Sequence, residues 1–252
     1  MLMTASLPGK ERLCSFLWQH LLLLISLNMM TLGVALCIRS ALGSSVISSL
    51  PLSCSLAGDL GIMPALSVGG YTIVMNFILV FCQILVLRRR FRLVQLFQLV
   101  IGFVFGWLID MNMMLTSWLV CDTLWAKVLT QFAGCTVMGA GIAFEVKCGS
   151  VTMPGEGLPV ALSKVTGVPF PKVKIVVDTT LVILAVVSSY VFFGEWASNI
   201  IGPGTLFAMI YVGYEIKVLN PHIVWFDRVL AYRPGFRRYV VGLARTIYRT
   251  KK

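Results

Sequence analysis

The sequence predicts an all-α, polytopic membrane protein, and three observations carry the prediction. Only 12% of the 252 residues are charged, against about 25% in soluble domains, while 58% are hydrophobic and the mean hydropathy is +0.89. Apolar runs long enough to cross a hydrocarbon core of about 30 Å recur along the chain. The runs are continuous, not alternating, so they are helices and not strands of a barrel.

Taken in order, residues 1–16 form a short polar leader with Lys10 and Arg12. The apolar run at 21–38 is too long for a signal-peptide core and lacks a small-residue cleavage site after it, which makes it an uncleaved first span. Hydropathy places six transmembrane helices at about 17–38, 68–87, 94–114, 128–146, 175–194 and 197–216. Arg88, Arg89, Arg90 and Arg92 close the second sharply, and Gly102-x-x-x-Gly106 lets the third pack closely on a neighbour. With the N-terminus in the cytoplasm, every Lys and Arg except Arg39 and Lys127 falls on the inner side. The positive-inside rule therefore selects N-in, C-in.

The basic charge has a second use in the tail. Residues 218–252 read as a cytoplasmic extension, and 223–250 as a basic amphipathic helix lying in the inner headgroup layer. Arg237, Arg238, Arg245 and Arg249 would face anionic lipid. Position beside the spans explains the net charge of +11 better than a nucleic-acid partner does. The seven cysteines form no CxxC pair and there are two histidines, so neither a disulfide framework nor a metal site is expected.

The chain breaks twice in a related way. Residues 141–159 read GIAFEVKCGSVTMPGEGLP, and 33–51 read GVALCIRSALGSSVISSLP. Gly33 matches Gly141, Ala35 matches Ala143, Arg39 matches Lys147, Ser44 matches Thr152, and Leu50-Pro51 matches Leu158-Pro159. Further along, Asn76 falls opposite Asp178 and Gly102 opposite Gly204. Each unit is span, broken segment, span, span. Three spans is an odd number, so the transmembrane domain (17–217) divides into two inverted three-helix repeats, about 20–115 and 128–217. The connections 40–67 and 148–173 each hold a short helix that either lies on the interface or re-enters the protein. Irregular backbone at that depth requires protein or a water-filled cavity around it.

Ionisable groups within spans pair or line a pathway. Glu145 and Lys147 stand within one turn of the end of the fourth span, as an interfacial pair or as part of a site. Glu156 lies between Gly155 and Gly157, which either make a turn or open the backbone to a ligand. Asp178, placed four residues into the fifth span, caps its start, pairs with Lys147, or binds a cation or proton. Arg39 reads as an anion contact or a snorkelling side chain. Asn76 either bonds a neighbouring helix or completes a site with Asp178, and Asp110 marks the interface. Ser44, Ser45 and Thr152 join the candidate substrate-binding set because they sit in the two breaks.

Several of these residues resemble the YczE/YyaS/YitT group of bacterial integral membrane proteins. Ala41-Leu42-Gly43 keeps the start of a loop that in the group runs on to Pro-Trp-Asp, where this chain has Val46, Ile47 and Ser48. Gly106-Trp107-Leu108-Ile109-Asp110 matches the end of the group's third span, and Pro154-Gly155-Glu156-Gly157-Leu158 a second-half P-R-D-G-L-like run. The resemblance covers about 20–218 and implies a polytopic protein of the bacterial inner membrane, without supplying a reaction. With no GxSxG, HExxH or Walker A motif, no enzyme and no cofactor is expected. The expectation is a secondary transporter or permease for a small solute, an anion being favoured where half-helix N-termini converge. The competing class is a non-transporting membrane accessory or scaffold that holds a partner protein or anionic lipid.

Overall fold

The computed structural model describes residues 9–88, 91, 93–148, 153–223, 225, 226 and 229. Eight α-helices and one 3-10 turn account for nearly all of them: α1 (Gly9–Arg39), α2 (Val46–Asp59), α3 (Val68–Leu87), α4 (Phe97–Leu115, after the turn Leu93–Leu96), α5 (Leu124–Cys148), α6 (Pro154–Thr166), α7 (Phe170–Phe193) and α8 (Pro203–His222). No strand occurs among the described residues.

Five of these helices are long and apolar enough to cross a membrane: Leu17–Arg39, Val68–Leu87, Phe97–Leu115, Leu124–Cys148 and Lys172–Phe193. The protein is a multi-pass membrane protein. Several predicted boundaries move. The first helix begins at Gly9, inside the polar leader, and the fifth begins at Phe170. The stretch predicted at 197–216 forms a helix only from Pro203, because Gly202-Pro203 sets its first turn. That helix, α8, falls outside the five, and it carries Glu215 and Lys217. The amphipathic tail helix predicted for 223–250, with its four arginines, lies almost wholly outside the described residues.

The bundle has two ends. Arg39, Asp59, Val68, Leu115, Leu124, Phe193 and Pro203 lie towards one, and Leu87, Phe97, Cys148, Phe170 and His222 towards the other. Hydrogen bonds fix this arrangement. Arg39 donates to the Met113 carbonyl at 2.7 Å, and Gln131 donates to the Gly204 carbonyl at 2.9 Å. At the opposite end Gln19 donates to the Cys148 carbonyl at 2.7 Å, and Lys147 to the Ile223 carbonyl at 3.0 Å.

Backbones approach closely where glycine permits it. The long antiparallel pair α1 and α5 crosses at Gly33 and Gly134, where a Cβ on Gly33 would stand 2.5 Å from the Gly134 oxygen. The same device joins α3 to α4, with Gly69 against Gly106 and Gly102 against Asn76. Small residues let dispersion forces act over a wide face, which matters most where lipid removes the hydrophobic drive between helices. Asp110 ties the same pair together. It accepts from the Ser67 hydroxyl at 2.6 Å and from the Gly69 N–H at 2.8 Å, so it caps the start of α3.

The short helices are exchanged. α2 packs on α3 and on α7, while α6 packs on α7 and on α3. The helices that follow the breaks thus hold both short helices between them. α1 with α4 and α5 with α8 form corresponding pairs as well. The correspondence fails in one place: α3 and α4 pack intimately, whereas α7 and α8 barely meet among the described residues.

Candidate functional site

Each short helix has proline at its sixth position, Pro51 in α2 and Pro159 in α6. Proline has no N–H, so the carbonyl four residues earlier loses its regular helical donor. Those carbonyls belong to Ile47 and Gly155. The same two residues meet. A Cβ on Gly155 would lie 3.2 Å from Ile47 Cδ1, so the first turn of α2 rests on the first turn of α6. Val46, Ile47 and Leu158 pack with Met75, Leu79 and Leu181, which lie close to halfway along α3 and α7. The two first turns therefore meet near mid-length of two membrane-crossing helices. At about 1.5 Å per residue, α2 with 14 residues and α6 with 13 reach only about 20 Å each, too short to cross.

Polar side chains hold this unusual backbone. Ser44, Ser45, Ser48, Ser49 and Ser53 are all buried. Ser44 bonds the Ile200 carbonyl through both its N–H and its hydroxyl, each at 3.0 Å. The hydroxyls of Ser45 and Ser48 lie 2.7 Å apart, and Ser188 of α7 donates to Ser53 at 2.8 Å. Around the second break, Gln19 and Gln83 clamp its two flanks, donating to the carbonyls of Cys148 and Pro154 respectively. Glu145, buried at the end of α5, accepts from the Met153 N–H. A carboxyl placed there also faces the positive end of the α6 dipole.

One turn further on is an ion cluster. Lys174 Nζ stands 3.0 Å from Glu156 Oε1 and 2.9 Å from Asp178 Oδ1. All three side chains keep about a fifth of their surface exposed. Glu145 is close enough to interact electrostatically with both Glu156 and Lys174. The structure thus brings Glu145, Glu156, Gly155, Gly157 and Asp178 together.

Other expected members sit elsewhere. Asp178 is the ninth residue of α7, so it does not cap that helix, and its partner is Lys174 instead of Lys147. Lys147 reaches the Ile223 carbonyl, and Arg39 reaches Met113 at the far end of the bundle. Asn76 donates to the Gly102 carbonyl at 3.3 Å, which joins α3 to α4 instead of completing a site with Asp178. By contrast, Ser44 and Ser45 remain at the junction, directly before the first turn of α2, where Ser44 bonds the Ile200 carbonyl and Ser45 pairs with Ser48. Thr152 lies outside the described residues.

Lys174 is not among the sequence candidates, because the predicted fifth span begins one residue after it. Its i,i+4 spacing to Asp178 is the signal that could have found it. The buried glutamines were also missed, although Gln83 is a polar group inside a predicted span. At the Arg39 end, an open cleft of about 430 Å³ lies between the end of α2 and the α7–α8 connection, with Asp59, Glu195, Trp196 and Asn199 on its walls.

Comparison with known proteins places residues 17–221 in DUF6198, a family of unknown function, and the chain belongs to that family. No curated protein and no solved structure matches it.

Proposed function

We propose that this protein is a secondary carrier of a small solute, built from two inverted halves, α1–α4 and α5–α8. The observation that carries the reading is the meeting of the first turns of α2 and α6 at mid-length of α3 and α7. Broken helices converging near the midplane, each held by the opposite half, are how inverted-repeat carriers build a site that can be opened from either side. The exchanged packing supports the inverted halves, and so does the paired proline at position six. In this reading α8 is the sixth span. Its 20 residues reach about 30 Å, and its one carboxylate, Glu215, is turned inward against Gly139 of α5. The orientation that suits the arginines is N-in, C-in in a bacterial inner membrane, in keeping with the YczE/YitT-like resemblance.

The charges favour a cationic or zwitterionic solute over an anionic one. Arg39 and Lys147 bond to backbone carbonyls away from the junction. At the cluster, two carboxylates share the Lys174 ammonium. A cation arriving there competes with Lys174 for the carboxylates, and the exchange supplies a gate that alternates between two pairings. The cleft lined by Asp59 and Glu195 is the mouth at the Arg39 end.

The test is flux in liposomes containing the purified protein. A panel of amines, amino acids and carboxylic acids is offered with and without an ion gradient. Uptake of a cationic or zwitterionic member that Lys174→Met abolishes supports the reading. Absence of protein-dependent flux across the whole panel contradicts it.

A further inference from the structure

We infer that Glu215 of α8 is a proton-binding site, whose carboxyl holds a proton while α8 lies against α5. That proton is the coupling ion of the carrier proposed above, and this transport role rests on that reading. Glu215 is 8% exposed, and its Oε2 is buried with no hydrogen-bond partner. It lies against Gly139 of α5, where an added Cβ would fall on that oxygen. Glu215 stands seven residues before the His222 end of α8, and Gly139 nine before the Cys148 end of α5. At about 1.5 Å per residue, the contact is roughly 10–14 Å inside that end of the bundle.

The surroundings bring no counter-ion to the carboxyl among the described residues. From α5 the Cys135 thiol is close enough to interact with it electrostatically. Lys147, two turns beyond Gly139, reaches the Ile223 carbonyl. α2 also packs on α8, but its titratable groups, Cys54 and Asp59, lie in the half of the molecule nearer Arg39. On α8 itself Tyr211 shares a hydrogen bond with Thr136 at 3.2 Å, and Lys217, two residues on, is exposed on the opposite side. An ionised carboxylate here gives up its hydration and gains neither a donor nor a cation. The neutral acid escapes that cost, so the closed packing selects the protonated form.

The first half of the molecule shows the same place filled differently. Carrying the match of Gly33 with Gly141 back along the helices sets Thr31 opposite Gly139 and Asn28 opposite Thr136. The match of Gly102 with Gly204 sets Asn112 opposite Tyr214, the residue before Glu215. Between α1 and α4, Asn112 Nδ2 donates to the Thr31 hydroxyl at 2.9 Å and to Asn28 Oδ1 at 3.0 Å, a closed network. Between α5 and α8, glycine replaces the hydroxyl and a carboxyl replaces the amide. A structural polar contact is thus kept in one half, and an acid without a partner stands in the other. α8 barely meets α7, so a shift of α8 on α5 suffices to bring water to the acid. Release then breaks the O–H bond, passes the proton to water and leaves the carboxylate. The Glu156–Lys174–Asp178 cluster is on α6 and α7, so proton and solute use separate sites in one half.

Purified full-length wild type, Glu215→Gln and Glu215→Met are compared in detergent. At neutral pH the infrared difference between wild type and either variant should contain the C=O stretch of a protonated carboxyl, moved to lower frequency in D2O. Thermal unfolding gives a second readout. Glu215 ionises freely in water once the chain unfolds, so the fold binds the extra proton and stability falls as pH rises. Wild-type Tm should therefore drop further than that of either variant between weakly acid and weakly alkaline pH. Glu215→Met keeps the inference exposed if Glu215→Gln does not fold. Failure of both to fold overturns it, because an acid without a partner has no contact to lose. A difference spectrum lacking the band, or variants that follow the wild-type pH profile, also overturns it. The band without protein-dependent flux of any solute in the panel sinks the carrier reading and leaves the proton site standing. Flux that neither a pH gradient nor Glu215→Gln alters leaves the carrier and removes the coupling role.

Discussion

Ile47 of α2 rests on Gly155 of α6, and each is the residue whose carbonyl loses its regular helical donor to a proline four positions later. Two breaks far apart in the chain are thus joined at one point, and Glu156 of the Glu156–Lys174–Asp178 cluster is the next residue after Gly155. The predictions below separate what holds that point together from what would use it.

The ion cluster is coupled. Lys174→Met leaves Glu156 and Asp178 facing each other without their shared ammonium, and should cost about 1–3 kcal/mol. Removing Glu156 as well, in Glu156→Gln/Lys174→Met, should restore part of that loss. A double-mutant cycle on thermal unfolding in detergent measures the coupling. Additive losses would show that the contact is not formed.

Glycine contacts set the helix crossings. Gly33→Ala would drive a Cβ into the Gly134 carbonyl, and Gly69→Ala into the Gly106 carbonyl, both of them backbone that cannot step aside. Each should destabilise by about 1–3 kcal/mol or prevent folding. Gly213→Ala, with nothing within 4 Å of the added methyl, should stay within about 0.5 kcal/mol of wild type. Tm values of the three variants, measured side by side, check the contrast.

Asp110 is a cap, not merely an interfacial charge. Asp110→Ala removes the acceptor for both Ser67 and the Gly69 N–H and should cost about 1–2 kcal/mol. Hydrogen exchange should show the first turn of α3 opening faster while α5 is unchanged.

Glu145 serves the α6 start through its oxygen more than its charge. Glu145→Gln keeps an acceptor for the Met153 N–H and should lower Tm only slightly. Glu145→Leu leaves that N–H unpaired and should cost about 1–3 kcal/mol. Equal losses in the two variants would assign the role to charge alone.

Much of this body was legible in the sequence, and the reasons are physical. A run such as 68–87 shows its span outright, since lipid demands continuous apolar residues, and it forms α3 over those same residues. The short helices were legible as breaks, because Ser, Gly and Pro interrupt an otherwise apolar chain. Their partners were not: periodicity says nothing about which distant helix a segment packs on, so the exchange of α2 onto α7 and α6 onto α3 had to come from the fold. Pairing charges along the chain failed for the same reason. Lys147 and Asp178 looked like partners, yet Lys174 lies one turn from Asp178 on the same helix and reaches it first. The glutamines were hidden because a lone amide in an apolar run looks like tolerated noise until the carbonyl it holds is known.

The most direct test of the account is a cross-link between positions 47 and 155. Ile47→Cys and Gly155→Cys are introduced together in a cysteine-depleted protein, and membranes are treated with a mild oxidant. The account predicts rapid formation of a disulfide within one chain, with neither thiol freely labelled beforehand by a bulky membrane-impermeant reagent. Folded protein that forms no such bond, with the two thiols labelled separately from opposite sides of the membrane, would contradict it.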